Sequence, residues 1–383
     1  MRYNNFMESQ KTIGIVGGGQ LGRMLTLAAK QLGFKVVVLD SKPNSPAKQV
    51  GADQILGDLY DPKALKQLAK RADYLTIEIE HLDAEALEAL TDINTQINPS
   101  PSTIRLIQDK FLQKEHLHKA GIPVAPFKQI TDENSATEAL NKLGGKILIK
   151  TRHGAYDGRG NMIVKSKPDI KKALKLFKDK QLYAEAYVPF EKELAVIIAR
   201  DVNGKVVTYP TVETIHKRNI CVEVIAPAPI NENVQDNAEK IAKNVAQLLE
   251  GAGIFAIEMF LTNDDKILVN EIAPRVHNSG HHTIEANKTS QFEQHIRAIS
   301  GLSLGDTSMI VPASVMVNIL GERNGETKLA GMDKLQGEDD IHIHIYGKSP
   351  TKIDRKMGHI NATGPTIEHA KKRAKNARKA ISI

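Results

Sequence analysis

Ile257-Glu-Met-Phe-Leu-Thr-Asn-Asp-Asp-Lys-Ile-Leu-Val-Asn-Glu271-Ile-Ala-Pro-Arg275 sets two apolar runs around a polar Thr262 to Lys266 turn, the pattern of a β-hairpin. With the turn centred between Asp264 and Asp265, Glu258 and Glu271 fall directly opposite each other on one face. Facing carboxylates repel and weaken a sheet. A bound Mg²⁺, which prefers oxygen ligands, would remove that cost. Alternation along the strand brings Arg275 and His277 to the same face as Glu271. A cation, a guanidinium and an imidazole in a row suit phosphoryl chemistry. The bland alternative is a solvated hairpin carrying two unrelated acids.

Upstream of the hairpin, the first hundred residues alternate strand and helix. Thr12 to Val16, Lys35 to Leu39 and Tyr74 to Glu80 read as strands; Arg23 to Leu32 and Pro62 to Ala72 read as helices. Such alternation predicts an α/β fold with an open, doubly wound parallel sheet. A break at Asn98-Pro-Ser-Pro101 precedes a helix expected over Ser102 to Ala120, closed by Gly121 and Pro123. Next come a small α/β unit, a strand-rich stretch from Leu194 to Ala226, and a helix from Asn233 to Gly251. Past Gly301 lie short strands and a basic helix, Ile367 to Ala380. These breaks divide the chain into 1–105, 106–303 (with a lid over about 123–188) and 304–383.

The 383 residues are 41% hydrophobic and 25% charged, the balance of a soluble globular protein. There is no Trp and aromatics are only 4%, which argues against a stacking surface for single-stranded nucleic acid. The lone Cys221 can form no internal disulfide, so a reducing cytoplasm is expected. No apolar stretch reads as a signal peptide or a membrane span, so no membrane partner is expected. The net charge of +7 suits anionic small substrates, and the basic helix reads as a solvated face rather than a nucleic-acid patch.

Gly17-x-Gly19-x-x-Gly22 follows a strand and opens a helix, with Asp40 after the next strand. Alone it signals a nicotinamide-dependent dehydrogenase, whose dinucleotide would use the helix N-terminus. Nothing else in the chain offers a hydride-transfer site. Lys150 ends a buried strand and can point its ammonium at a phosphate. Tyr156-Asp-Gly-Arg-Gly160 is either a mobile phosphate-covering loop or a plain turn. Lys110, at a helix start after Asp109, is either a second phosphate cation or a surface lysine. Glu185 and Glu193 can accept bonds from an exocyclic amine or ribose hydroxyls, and His216 reads as structural more readily than as catalytic.

In this order the pieces resemble the ATP-grasp superfamily, and within it the 5-(carboxyamino)imidazole ribonucleotide synthases. The resemblance rests on Gly17 to Arg23, Tyr156 to Gly160, Glu271 to Arg275 with His277-Asn-Ser-Gly-His281, and Tyr346-Gly-Lys348 with Arg355-Lys-Met-Gly-His359. It implies ATP-dependent carboxylation of 5-aminoimidazole ribonucleotide by bicarbonate through carboxyphosphate, in purine biosynthesis, by a homodimer. It assigns ATP to Lys110, Lys150, Tyr156, Asp157, Gly158, Arg159, Gly160, Asn161, Glu185, Ala186, Tyr187, Val188, Glu193, His216, Asn270 and Glu271. Mg²⁺, bound with ATP, falls to Glu258 and Glu271. The ribonucleotide falls to Gln20, Leu21, Glu78, Tyr156, Asp157, Arg275, His277, Asn278, Lys348 and Arg355. Arg275, Asp157, Tyr156 and His277 take catalytic roles, and the loop from Tyr156 forms part of a closing lid. Ala155, Val276, His282 and Lys352 depart from the family's usual residues, and the last weakens the expected phosphate clamp. A formate-dependent glycinamide ribonucleotide transformylase of the same superfamily is the nearest rival.

Overall fold

Five short strands near the N-terminus form a parallel sheet in the order Asp53–Leu56, Lys35–Asp40, Thr12–Val16, Tyr74–Ile77, Gln96–Ile97. The helices Gln20–Gln31 and Pro62–Ala69 connect them. Strand order reverses between Thr12–Val16 and Tyr74–Ile77, so a crevice opens at their carboxyl ends, where the Gly17 turn and Glu78 sit. This computed structural model describes residues 10–90, 93–154, 160–335 and 337–383.

The helix expected over Ser102 to Ala120 is two helices, Pro101–Gln108 and Lys110–Lys119. Asp109 breaks it by adopting extended backbone (φ −98°, ψ 100°), and its carboxylate accepts bonds from Phe111 and Leu112 N–H at 3.0 and 3.1 Å. The new N-terminus places Lys110 in the cleft instead of mid-helix. Next, the strands Phe127–Ile130, Leu182–Ala186, Ile147–Thr151 and Asn161–Val164 form a separate four-stranded sheet with its own apolar core.

The central sheet has nine strands and includes the hairpin Gly253–Thr262 and Ile267–Ala273. It runs without a break into the C-terminal region, because Ile220–Ala226 pairs with Ala313–Leu320, which pairs with Lys356–Gly364. Residues 304–383 thus share their backbone hydrogen bonding with the middle of the chain. The N-terminal domain is fastened to the rest by one mixed core, containing Ile15, Leu25, Ile197, Tyr209, Ile254 and Tyr346. Inside it His295 Nδ1 accepts from Ile254 N–H at 3.0 Å, so its Nε2 carries the proton and donates to Thr76 Oγ1 at 2.7 Å.

The helix Ile367–Ala380 is capped by Thr366 and packs its alanines inward. Four of its six cations are paired: Lys371 and Lys375 with Glu223, Arg373 with Glu338 and Asp340, Arg378 with Glu322. Carboxylates of the fold thus account for most of the basic run. Among the described residues, no helix is long and apolar enough to cross a membrane.

Candidate active site

Glu258 and Glu271 are directly opposed across the hairpin. The pairing arises differently from the simple symmetric turn. The pairs nearest the turn are centred on Asp264, and an irregularity between Glu258 and Met259, at Asn270 on the partner strand, shifts the register by one. That extra residue brings the two acids into register. Burial first, and then the neighbouring Glu271 charge, push the Glu258 carboxyl up to about 7. A hard divalent cation fits this donor set: two facing carboxylates, one of them held back from ionising by the other.

Basic side chains surround the pair. Lys110 Nζ lies 2.6 Å from Glu271 Oε1. His277 Nε2 lies 3.3 Å from Glu258 Oε1, while its Nδ1 is 2.8 Å from Ser279 Oγ and accepts from Ser279 N–H at 3.4 Å. With Nδ1 accepting, the proton sits on Nε2 and faces Glu258. Burial and then Arg275 press the His277 pKa down to about 3, so it is neutral near pH 7. Arg275 grips Glu80 through two bonds, 2.5 and 3.0 Å. Burial alone would raise the Glu80 pKa, but Arg275 outweighs it and holds it at about 2. Glu193 and His216 form a further pair, Nδ1 to Oε2 3.2 Å. Burial disfavours a charged His216, yet Glu193 beside it raises the pKa overall.

Behind the hairpin, Ala125, Leu148, Tyr187, Val188, Phe190 and Phe260 line an apolar slot with Ala186, Lys150 and Glu185 at its polar end. Phe190 and Phe260 stack at 4.6 Å with planes 9° apart. Such a slot suits a flat heteroaromatic ring. Lys150 and Lys114 both pair with Glu185. Burial and then Lys110 lower the Lys150 pKa to about 8. Lys114 is absent from the residues expected from the sequence. Its position one turn after Lys110 was the available signal, since i and i+4 share a helix face. Glu80, at the expected strand end, is likewise absent from those residues.

Tyr156, Asp157, Gly158 and Arg159 lie outside the described residues. The loop's far end is Gly160, at φ +86°, beside the exposed Asn161. Its near end is latched: Arg152 binds Asp109 through Nε at 3.0 Å to each oxygen, and its carbonyl accepts from Lys110 N–H at 2.9 Å.

The glycine turn is not an anion site. Glu78 already occupies it, accepting from Gly19 and Gly22 N–H at 2.5 Å each. Asp40, the apparent ribose acid, accepts from Gly18 N–H at 3.0 Å. A Cβ on Gly17 or Gly19 would lie 2.4 and 2.6 Å from Glu78 atoms, so these glycines admit a protein carboxylate. Glu78 and Asp40 thus take the N–H groups of Gly18, Gly19 and Gly22 that a dinucleotide phosphate would use, which argues against the dehydrogenase reading. Gln20 is half-buried at the helix start and Leu21 is buried in the core.

Lys348 reaches the carbonyl of Lys356 at 3.0 Å, and Arg355 Nη1 reaches that of Pro350 at 2.5 Å. Burial and then Arg355 lower the Lys348 pKa to about 7. Asn278 is buried with its amide bonded both ways to Asn318, at 3.1 and 2.6 Å. Its side chain is thereby committed to the protein.

An ATP-grasp domain family matches residues 115–292, a ribonucleotide synthetase preATP-grasp domain family residues 10–108, and a phosphoribosylaminoimidazole carboxylase C-terminal domain family residues 314–373. A phosphoribosylaminoimidazole carboxylase of Ogataea methanolica is 48% identical over 96% of this chain, which covers 69% of that protein. Some other fungal relatives extend further; this chain spans 65% of the Saccharomyces cerevisiae one. The N5-carboxyaminoimidazole ribonucleotide synthase of Bacillus subtilis is 40% identical over 91% of this chain and 90% of its own length. The Aspergillus clavatus N5-carboxyaminoimidazole synthase, solved with ADP and 5-aminoimidazole ribonucleotide, superposes with a TM-score of 0.87 at 39% identity, covering 97% of this chain and 98% of that one. The three-part ATP-grasp architecture and these full-length likenesses agree: the chain belongs to the N5-carboxyaminoimidazole ribonucleotide synthase family of ATP-dependent ligases.

Proposed function

We propose that this chain uses ATP and bicarbonate to carboxylate the exocyclic amine of 5-aminoimidazole ribonucleotide, releasing ADP and phosphate. The facing Glu258 and Glu271, ringed by Lys110, His277 and Arg275 next to an apolar ring slot, carry the reading. They would hold Mg²⁺, which when bound with ATP neutralises phosphate charge.

The adenine would enter the slot beside Val188, with its amine towards Glu185 and its ribose towards Glu193 and His216. Lys110 and Lys150 would turn from their carboxylates to the phosphates. A bicarbonate oxygen attacks the γ-phosphorus as ADP leaves. The substrate amine then takes the carboxyl carbon, phosphate departs and the nitrogen loses a proton. Arg275, held by Glu80 at the junction of the domains, would stabilise negative charge on the carboxyphosphate. His277, neutral with its proton on Nε2, is a hydrogen-bond donor and not a base. The lid carrying Tyr156 to Gly160 would exclude water from the short-lived intermediate. Asp157 would order the attacking amine, and Lys348 with Arg355 would clamp the 5′-phosphate.

A homodimer in the cytoplasm belongs to the same proposal, and light scattering tests the dimer. The reaction is tested by phosphate release from ATP with bicarbonate, with and without the ribonucleotide. Stimulation by the ribonucleotide supports the reading. Turnover requiring formate instead would overturn it in favour of the transformylase.

A further inference from the structure

Glu185 sits almost wholly inside the protein, its side chain 4% exposed, at the polar end of the ring slot. An ionised carboxylate this deep needs compensation. Two ammonium groups supply it from different depths. Lys150 pairs with Oε2 and is 16% exposed, at the cleft; Lys114 pairs with Oε1 and is 3% exposed, behind it. Lys114 also lies 3.4 Å from the Val269 carbonyl, on the strand that carries Glu271. Its helix, Lys110–Lys119, starts at the Asp109 cap, so its reach is set by a rigid element. Lys150 has somewhere else to go when a triphosphate enters. Lys114, sealed behind Glu185, has not.

We propose that Lys114 is the permanent counter-ion of Glu185 and through it sets the preference for a 6-aminopurine nucleotide, whereas Lys150 exchanges Glu185 for the nucleotide phosphate. The inference rests on the slot being the adenine site. When Lys150 leaves, Oε2 becomes free to accept the adenine amine. Without Lys114 the buried carboxyl would then be uncompensated and would take up a proton. A protonated carboxyl loses the charge that strengthens its bond from the amine and keeps only its carbonyl oxygen as acceptor, so the recognition weakens. Lys114 touches no substrate atom in this scheme; it is a positioning residue. Burial, and then the neighbouring Lys150, lower its own pKa well below the usual value, so the charge Lys114 carries as a counter-ion depends on the Glu185 carboxylate beside it.

The test is calorimetric titration with Mg²⁺ and either ADP or purine riboside diphosphate, which lacks the amine. The wild-type protein should favour ADP by about ten- to hundredfold, the worth of one bond to a charged group. In Lys114→Met the ADP affinity should fall by about tenfold or more, and that of the amine-free analogue by less than about threefold. Lys114→Gln, which retains a polar group, should behave the same way and stands in if the first variant does not fold. Equal losses for both ligands would make Lys114 merely structural, and an unchanged preference would remove it; either overturns the proposal. A crystal of the wild-type protein with ADP supplies a variant-free check: Lys114 should remain on Glu185 and Lys150 should have moved to the phosphates. Lys114 found away from Glu185 would refute the inference. Binding needs no turnover, so a wild-type protein that discriminates but does not carboxylate would sink the ligase reading alone.

Discussion

Removing Glu78 should turn a self-satisfied glycine turn into an anion site. Its carboxylate takes the N–H groups of Gly19 and Gly22, both at 2.5 Å, at the start of the helix Gln20–Gln31. Bonds to a charged acceptor are worth about 1.5–3 kcal/mol each, and burial of the carboxylate, which raises its pKa, offsets part of that. Glu78→Ala should therefore cost about 2–4 kcal/mol and lower the melting temperature by several degrees. It also empties the space directly over Gly17 and Gly19, which Glu78 atoms now fill.

An exposed helix N-terminus with two unpaired N–H groups should attract phosphate. With a dissociation constant of about 5 mM, roughly 50 mM phosphate would restore about 1.4 kcal/mol. Glu78→Gln fills the same space and should show no such rescue, because its amide still blocks the turn. The assay is thermal unfolding of the three proteins with and without phosphate, at constant ionic strength. If Glu78→Ala melts with the wild type, or phosphate stabilises all three alike, the claim that Glu78 imitates a bound anion is wrong.

Glu271→Gln should depress ATP turnover by about a thousandfold, since one unit charge at about 4 Å is worth about 4 kcal/mol near a protein surface. Its melting temperature should stay close to wild type, because Glu258 loses a repelling neighbour while Lys110 loses its partner; normal turnover would end the metal assignment. Arg355→Ala should raise the ribonucleotide KM by about tenfold or more without moving the KM for ATP; steady-state kinetics decide, and an unchanged ribonucleotide KM removes Arg355 from the phosphate site. Lys348, lowered to about 7, is charged below that pH and neutral above it, and only the charged form pairs with a phosphate. The ribonucleotide KM should therefore climb as pH rises through 7 to 9, and Lys348→Arg, charged throughout, should flatten that rise; a pH-independent KM in the wild type would contradict it.

Parts of this molecule were legible because they depend on neighbours close in sequence. The hairpin follows from two apolar runs and a polar turn, and the basic segment Ile367–Ala380 is the helix expected of it. Even there the pairing of Glu258 with Glu271 needs the irregularity at Asn270, which no local pattern announces. Contacts between distant residues were hidden. The glycine turn has the fingerprint of a dinucleotide site, and only the arrival of Glu78, 56 residues beyond Gly22, reveals otherwise. Lys114 goes unread in the sequence because its carboxylate comes from the distant strand Leu182–Ala186. Asp109 broke an apparently continuous helix because Arg152 and two N–H groups reward it there.

These hidden contacts share a logic. Lys110 holds Glu271 and Lys150 holds Glu185. The cations expected to meet phosphate and the acids expected to meet metal or adenine are thus spent on one another. A nucleotide without metal would draw Lys110 away and leave Glu271 and Glu258 facing each other uncompensated. A metal without nucleotide would take the carboxylates and leave Lys110 unpaired in the same cleft. A magnesium nucleotide brings both signs at once and exchanges each pair without stranding either partner, which is the cheapest way into a partly buried network. Selectivity for the complex over its parts then comes from the pairing itself, before any contact with the γ-phosphate is counted.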